Sequence, residues 1–181
     1  MDIEGGNTIF TIGHSTRHLD EFVALLRQSG VTLLVDVRSV PRSRAVPQFN
    51  EDTLPAALAR EGIGYRHLPA LGGRRHHRRD APPSPNGLWR VAAFRAYADY
   101  AGSAEFRGGV DELRTLAAHD RCAIMCAEAV WWRCHRRIVA DHWLAGGGQV
   151  EHILGPGRIV PAALTPGARV TTVGAVIYPS A

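Results

Sequence analysis

The chain has 181 residues, 45% of them hydrophobic and 21% charged, which is typical of a soluble globular domain with a single core. No apolar run reaches the roughly 20 residues that a membrane-spanning helix needs, so we expect no membrane association. The 3 cysteines are too few for a disulfide framework, and the N-terminal residues are acidic where a secretory signal is basic. We therefore expect a cytoplasmic protein with reduced thiols.

The charge of the chain is compatible with an anionic partner. The net charge is +4, and all 21 basic residues are arginine. The planar guanidinium group binds phosphate and carboxylate in a bidentate manner. A GC-rich genome is the simpler explanation for arginine in place of lysine, so the composition alone identifies no partner.

Residues 8–37 predict a βαβ unit. Residues 8–12 alternate and are rich in β-branched side chains, which is typical of a strand. A helix is predicted from near His18 to Gly30, with an apolar stripe and two acids in its first turn. Residues 31–37 are nearly all apolar, as in a strand buried on both faces. Strand, helix and strand in this order predict a parallel sheet.

The remainder of the chain continues this pattern. The further elements that we predict are a helix at 51–61, a strand at 64–68, helical segments over 89–118 with a break at Gly108–Gly109, a helix at 134–145, a strand at 149–154 and a β-like run at 169–178. The predicted fold is a single α/β domain over residues 1–154, with a mostly parallel sheet flanked by helices. Residues 155–181 form a C-terminal extension that packs on the same domain.

The stretch at 121–137 holds two cysteines, a glutamate, a histidine and several arginines. Residues 122–126 form a short apolar run, which indicates a buried strand that ends at Cys126. The apolar spacing that follows predicts a helix beginning at Cys134. Ligands of doubly wound folds bind at the carboxyl ends of strands, and a helix start offers free N–H groups to an anion.

Two polar loops carry further candidate residues. The loop at 36–50 follows the second predicted strand and contains Asp36, Arg38 and Arg42. The loop at 71–87 contains four arginines and two histidines and is bounded by glycine and proline. Such loops either bind an anionic ligand or are solvated connections, and the local sequence does not decide between the two.

Three kinds of chemistry are compatible with Cys126, Glu128, Cys134 and His135. The first is nucleophilic catalysis, since a cysteine near a helix start and a guanidinium has a lowered pKa, and a nearby histidine could act as base. The phosphate-binding cysteine loop of phosphatases is excluded. The spacing from Cys126 to Arg133 is one residue too long for that loop, and the segment lacks glycine.

The second possibility is a metal site, since all four side chains are competent ligands. We assign no metal, because Cys134 and His135 would point about 100° apart if they were adjacent on a helix. The third possibility is structural: both cysteines pack as small apolar side chains, and Glu128 pairs with an arginine. The residues alone leave these alternatives open.

Several short motifs together resemble a known family. They are 11–15 (TIGHS), 36–38 (DVR), 41–43 (PRS), 47–49 (PQF), 65–68 (YRHL), 71–73 (LGG), 125–128 (MCAE) and 134–136 (CHR). Over about residues 8–153 their order and spacing are similar to the family catalogued as domain of unknown function number 488. The resemblance implies a compact Rossmann-like α/β domain with no assigned reaction, and it implies no catalytic residues.

The motif residues fall at three predicted strand ends, which meet at one edge of a parallel sheet, so we predict one pocket there. Cys126 would act as nucleophile or ligand, and Glu128 as general acid or base. The candidate catalytic residues are Cys126, Glu128, His14 and Asp36. The candidate substrate-binding residues are Ser15, Arg38, Arg42, Arg74, Arg75, Cys134, His135 and Arg136.

The predicted function is enzymatic, on a phosphate-bearing small molecule, a nucleotide or a nucleic-acid constituent. The sequence identifies no cofactor. The alternative is a nucleic-acid-binding module without catalysis, which would use the arginine loop at 74–79 and the pair Trp131–Trp132. A further alternative is a redox-responsive protein in which Cys126 and Cys134 approach within bonding distance.

Overall fold

In the computed structural model, which describes residues 8–181, a six-stranded sheet forms the centre of the chain. The strands are β1 (Thr8–Gly13), β2 (Leu33–Asp36), β3 (Gly64–His67), β4 (Cys122–Cys126), β5 (Gln149–Gly155) and β6 (Arg158–Pro161). Their order is β3-β2-β4-β1-β5-β6, and every neighbouring pair is parallel except β5 and β6. The mostly parallel α/β sheet is therefore confirmed.

Helices cover both faces of this sheet. In the described part of the chain they are α1 (Leu19–Gln28), α2 (Leu54–Ala59), α3 (Ala92–Tyr100), α4 (Ala104–Ala117) and α5 (Arg136–Ala145), with 3₁₀ turns at Pro47–Phe49, Pro69–Leu71 and Trp131–Arg133. Side chains of α1 and α2, such as Phe22 and Leu58, pack on one face, and those of α3, α4 and α5, such as Tyr97 and Ile138, pack on the other. No helix of the described residues has the length and apolar character to cross a membrane.

The carboxyl ends of β1, β2 and β4 meet at the centre of the sheet. Gly13 is in register with Cys126, and Asp36 is in register with Met125. Every residue of β2 and β4 is buried, which explains the continuous apolar runs in the sequence. The loops that follow these three strands therefore leave the sheet side by side.

The C-terminal residues pack on this α/β core. β6 adds an antiparallel edge strand to β5, and a separate ribbon is formed by β7 (Arg169–Val170) and β8 (Val176–Ile177). Tyr178 is fully buried, and its hydroxyl donates to Asp141 Oδ2 at 2.7 Å. Its backbone N–H donates to Asn86 Oδ1 at 2.9 Å. These bonds fix the end of the chain against α5 and the loop before α3.

The predicted helix break at Gly108–Gly109 is wrong. The break lies at residues 101–103, where the Ser103 hydroxyl accepts a hydrogen bond from the Phe106 N–H and begins α4. Both glycines lie inside α4. A Cβ on Gly109 would lie 3.0 Å from the Cβ of Ala70, so glycine at this position allows α4 to pack closely on the turn Pro69–Leu71.

The two neighbouring glycines provide a matched test of this packing. A Cβ on Gly108 meets no atom within 4 Å, so Gly108→Ala should raise the free energy of unfolding by about 0.5–1 kcal/mol. Gly109→Ala gives the same helical gain but crowds Ala70, and we expect it to be less stable than Gly108→Ala by about 1 kcal/mol or more. Urea unfolding measures both. Equal stabilities would show that α4 is not packed this closely.

Candidate functional site

A cleft of about 670 Å³ opens at the carboxyl edge of the sheet, between the loops after β1, β2 and β4. Of the residues predicted for the site, the cleft is lined by His14, Ser15, Arg38, Arg42, Arg74, Cys126, Glu128, Cys134 and His135. Asp36 and Arg136 are buried and do not line it. Arg75 lines a different cleft, beneath the arginine loop. The structure thus brings together most of the predicted residues.

The lining residues that sequence reasoning missed include Arg133, Phe94 and Tyr97. Arg133 immediately precedes the motif that begins at Cys134, so its position could have indicated a role. Phe94 and Tyr97 lie on α3, where their spacing is that of ordinary core residues. Only the packing of α3 beside the strand ends brings them to the cleft.

The loops after β1 and β4 are in close contact. The backbone N–H of His14 donates to the Cys126 carbonyl at 3.0 Å, and Ser15 follows with a φ of 46°, in the left-handed region. A Cβ on Gly13 would overlap the carbonyl oxygen of Glu128. Glycine at this position therefore lets the β4 loop cross directly over the end of β1.

Asp36 forms a buried ion pair with Arg38. Arg38 NH2 lies 2.6 Å from Asp36 Oδ2, and Arg38 Nε donates to Oδ1 at 2.9 Å. The Tyr65 hydroxyl donates to Oδ2 at 2.6 Å, and Arg38 NH2 also donates to the Phe49 carbonyl at 2.6 Å. Both carboxylate oxygens are thus occupied. This arrangement gives Asp36 a positioning function at the base of the cleft, and its catalytic role stays a prediction.

His14 has no free ring nitrogen. Its Nδ1 lies 2.8 Å from the Ser15 carbonyl, and its Nε2 lies 3.3 Å from Arg38 NH1. Because a guanidinium group can only donate, Nε2 accepts and Nδ1 carries the proton. Burial lowers the pKa of His14, and the nearby charge of Arg38 acts in the same direction. The neutral ring stacks on Phe49, and it must break one of these bonds to act as a base.

Cys126 and Cys134 are in direct contact at the base of the cleft. Their Sγ atoms lie 2.7 Å apart without a covalent bond, and the residues are 3% and 5% exposed. Cys126 ends β4, as predicted. Cys134 does not begin a helix: its backbone is extended, with φ −133° and ψ 151°, and α5 begins at Arg136.

The buried guanidinium of Arg136 holds this pair of thiols. Its Nε donates to Cys126 Sγ at 3.1 Å, and its NH2 donates to the Glu128 carbonyl at 2.7 Å. Its NH1 donates to Thr11 Oγ1 at 3.1 Å, and Thr11 in turn contacts His152 Nδ1 at 2.7 Å. Arg136 therefore lies beneath the sulfurs and does not face the cleft.

The two thiols differ in acidity although both are buried. Burial by itself raises the pKa of both groups. At Cys134 the hydrogen bond with Cys126 and the charge of Arg136 outweigh burial, and they lower the pKa to about 7. At Cys126 the neighbouring sulfur adds to burial and raises the pKa well above its ordinary value. The surroundings therefore favour ionisation of Cys134 over ionisation of Cys126.

His135 completes what we call the Cys–Cys–His group, formed by Cys126, Cys134 and His135. Its Nε2 lies 2.8 Å from the Val37 carbonyl and so carries the proton, which leaves a lone pair on Nδ1, 3.4 Å from Cys134 Sγ. The three ligand atoms all lie within 4.8 Å of one another. The sequence analysis argued against a metal because adjacent residues of a helix point about 100° apart. That argument is wrong, because Cys134 lies before α5 and His135 is the N-cap residue of α5, so the two residues are not both within the helix.

Arg133 and the arginines predicted to bind substrate differ in their availability to a ligand. Arg74 and Arg133 are exposed at the cleft, and neither guanidinium has a partner among residues 8–181. Arg42 lies within 3.8 Å of one surface carboxylate and 3.7 Å of another. Arg75 donates to two backbone carbonyls at 3.2 and 2.9 Å. Arg74 and Arg133 are therefore the cations that a ligand can reach without displacing another contact.

Glu128 is the acidic group of the cleft lining. It is exposed, and its carboxylate has no partner in the described part of the chain. Its backbone N–H donates to Cys126 Sγ at 3.3 Å, which fixes the residue beside the Cys–Cys–His group. The predicted pairing of Glu128 with an arginine is thus not observed. The carboxylate is therefore accessible to a molecule in the cleft.

The two tryptophans of the pair differ in their contacts within the protein. The ring of Trp131 stacks on His152, with centroids 4.4 Å apart and planes inclined by 6°. The guanidinium of Arg137 also lies near this ring, 5.7 Å from its centroid. Trp132 is 46% exposed, and it packs edge-on against Trp131. One face of Trp131 is therefore already occupied within the protein.

Replacement of Asp36 tests its positioning function. Asp36→Asn leaves the buried Arg38 without a counter-charge, so we expect the free energy of unfolding to fall by about 3–5 kcal/mol. Tyr65→Phe removes one hydrogen bond to the same carboxylate and keeps the ion pair, so it should cost about 1.5 kcal/mol. Urea unfolding followed by circular dichroism measures both variants. An Asp36→Asn protein as stable as Tyr65→Phe would argue against the ion pair.

Comparison with known proteins gives a family and no reaction. No similar curated protein and no similar solved structure was found for this chain. One family, described as domain of unknown function DUF488, matches residues 18–143, more than two thirds of the chain. The matched region includes Asp36, Arg38 and the Cys–Cys–His group, and it leaves out β1 with His14. The chain therefore belongs to the DUF488 family of domains of unknown function.

Proposed function

We propose that the protein is an enzyme that binds a phosphate-bearing small molecule, a nucleotide or a nucleic-acid constituent, in the cleft at the carboxyl ends of β1, β2 and β4. The substrate anion is bound by Arg74 and Arg133. The reaction takes place at the Cys–Cys–His group, and Glu128 exchanges the proton. The argument for each of these roles follows.

The charge of the cleft is the observation that carries the proposal. Four arginines line it, but Arg38 is paired with Asp36 and Arg42 lies near two surface carboxylates. Arg74 and Arg133 are therefore its unpaired cations among residues 8–181, beside the carboxylate of Glu128. Unpaired guanidinium groups around a concave surface attract an anion and bind phosphate oxygens in a bidentate manner. Because Arg74 follows β3 and Arg133 follows β4, they approach an anion from two different loops.

The remainder of the lining suits an organic group attached to the phosphate. Val40, Val46, Ala93 and Phe94 contribute apolar surface to the same cleft. Val40 is 52% exposed, although a large apolar side chain is normally buried. A pocket with apolar walls and a few charged groups is typical of a small-molecule site. A planar base packed on these side chains is the substrate feature that this surface favours.

The reactive centre supports catalysis over simple binding. A pair of thiols in which a hydrogen bond and a guanidinium lower the pKa of Cys134 suits a nucleophile or a metal ligand, since the thiolate is the reactive form in both cases. Glu128 supplies a carboxylate beside this pair, and this carboxylate has no competing partner among residues 8–181. The proposed nucleophile or metal ligand, the proposed proton acceptor and the proposed anion site all line the same cleft. Phosphate chemistry requires these three groups close together.

Binding of AMP tests the anion site. Arg74→Ala and Arg133→Ala should each raise the dissociation constant by about 10-fold or more, because a hydrogen bond to a charged group contributes about 1.5–3 kcal/mol. Isothermal titration calorimetry measures this constant. Arg79→Ala is the matched control, since it removes the same charge from the arginine loop outside the cleft and should bind AMP as tightly as the unmodified protein.

A nucleic-acid-binding module without catalysis predicts different binding results for the same variants. In that case a duplex oligonucleotide binds with an affinity that falls steeply with salt concentration. Its binding weakens in Arg79→Ala and survives in Cys134→Ser. AMP then binds equally to the unmodified protein and to Arg74→Ala. This combination would contradict the proposed small-molecule site.

A further inference from the structure

We propose that the Cys–Cys–His group is a zinc site in which Cys126 Sγ, Cys134 Sγ and His135 Nδ1 bind the ion, and that the fourth coordination position opens into the cleft. Thiolate sulfur and neutral imidazole nitrogen are the ligand atoms that zinc prefers. Three protein ligands with one open position are typical of catalytic zinc. The described residues contain no other group of three such ligands.

The imidazole of His135 is already oriented for coordination. Its Nε2–H donates to the Val37 carbonyl at 2.8 Å, so the lone pair of Nδ1 points towards the two sulfurs. A backbone carbonyl in this role is the usual partner of a zinc-bound histidine. A Cβ on Gly73 would overlap the imidazole ring, so the ring is packed directly on the backbone there. The histidine is therefore held with its free nitrogen beside the sulfurs.

The surroundings of the sulfurs suit thiolates. Cys126 Sγ accepts hydrogen bonds from Arg136 Nε at 3.1 Å and from the Glu128 N–H at 3.3 Å. Cys134 Sγ accepts one from the Arg136 N–H at 3.4 Å. N–H groups that donate to sulfur stabilise negative charge and orient ligands around a metal.

Zinc binding requires a small movement of one cysteine. Two sulfurs that each lie about 2.3 Å from a tetrahedral zinc ion are about 3.8 Å apart, so the present 2.7 Å must increase by about 1 Å. Cys126 is fixed in the central strand β4, whereas Cys134 lies between a 3₁₀ turn and α5. A rotation of the Cys134 side chain supplies the movement. The proton shared by the two sulfurs is released to solvent as the ion binds.

The catalytic role of this ion rests on the function proposed above. Zinc held by Cys126, Cys134 and His135 would activate a water in the fourth position as a nucleophile, and Glu128 would accept the proton of this water. The water oxygen would bond to the phosphorus of the substrate while the bond to the leaving oxygen breaks, and the leaving alcohol would take the proton from Glu128. The reaction class is therefore hydrolysis of a phosphate ester.

Metal binding can be measured without a substrate. The chain of 181 residues is reduced, freed of metal with a chelator, mixed with zinc chloride and passed through gel filtration before elemental analysis. We expect one zinc per chain. Cobalt(II) in place of zinc should give the absorption of thiolate-to-cobalt charge transfer together with the visible bands of tetrahedral cobalt. The cobalt spectrum requires no variant, so it does not depend on whether the variants fold.

Three variants locate the site. Cys126→Ser and Cys134→Ser should each lower zinc affinity by more than about 100-fold, since even the loss of a second-shell contact costs 10-fold to 100-fold. Cys122→Ala is the matched control, because Cys122 is buried at the other end of β4, and it should keep one zinc per chain. Equal zinc affinity in all three variants would overturn the proposal. A reduced protein that binds no zinc, and forms a Cys126–Cys134 disulfide on mild oxidation, would overturn it in favour of a redox pair.

Failure of this inference is distinguishable from failure of the proposed function. Arg74→Ala removes a cation of the cleft and no ligand of the ion, so its zinc content should be unchanged. A protein that binds zinc through both cysteines but does not bind AMP contradicts the proposed function alone. A protein that binds AMP through Arg74 but does not bind zinc contradicts the zinc site alone.

Discussion

The candidate site depends on the buried guanidinium of Arg136, which is 1% exposed. A charge in the protein interior is costly unless its donors are paired, and Arg136 donates to Cys126, Thr11 and the carbonyl of Glu128. These partners belong to β4, to β1 and to the loop after β4, so one side chain of α5 fixes three separate parts of the site. The same charge stabilises a thiolate in the cysteine pair. The hydrogen bonds of Arg136 therefore contribute both to the stability of the site and to the reactivity of its thiols.

The arginines of the chain have two different functions in this region. Arg38 and Arg136 are buried, and their donors are directed to Asp36, to sulfur and to backbone carbonyls, so they shape the base of the cleft. Arg74 and Arg133 are exposed and unpaired within residues 8–181, so they are the groups available to an anion. This difference follows from burial, because a buried guanidinium must be satisfied by the protein itself. The sequence alone does not show which arginines are buried and which are exposed.

The sequence predicted the sheet and the meeting of three strand ends because hydrophobic periodicity is a local property. Cys126 was correctly placed at the end of β4 for this reason. The extended backbone of Cys134 was missed, since the apolar spacing after it suits a helix and the contact with Cys126 is made in the folded chain. Asp36 ends β2 and Arg38 lies two residues beyond it, so their pairing depends on the path of the loop, which strand periodicity does not predict. The hydrogen bond from Tyr65 depends on pairing of β2 with β3, which no local pattern reveals.

The central claim is that an anion binds between Arg74 and Arg133, above the Cys–Cys–His group. A crystal structure of the protein with bound tungstate tests this most directly, because tungstate resembles phosphate and its anomalous scattering locates it without bias. We predict the strongest anomalous peak in the cleft, within hydrogen-bonding distance of both guanidinium groups. Tungstate bound only along the arginine loop at 76–79, with the cleft empty, would contradict the proposal and favour a nucleic-acid surface.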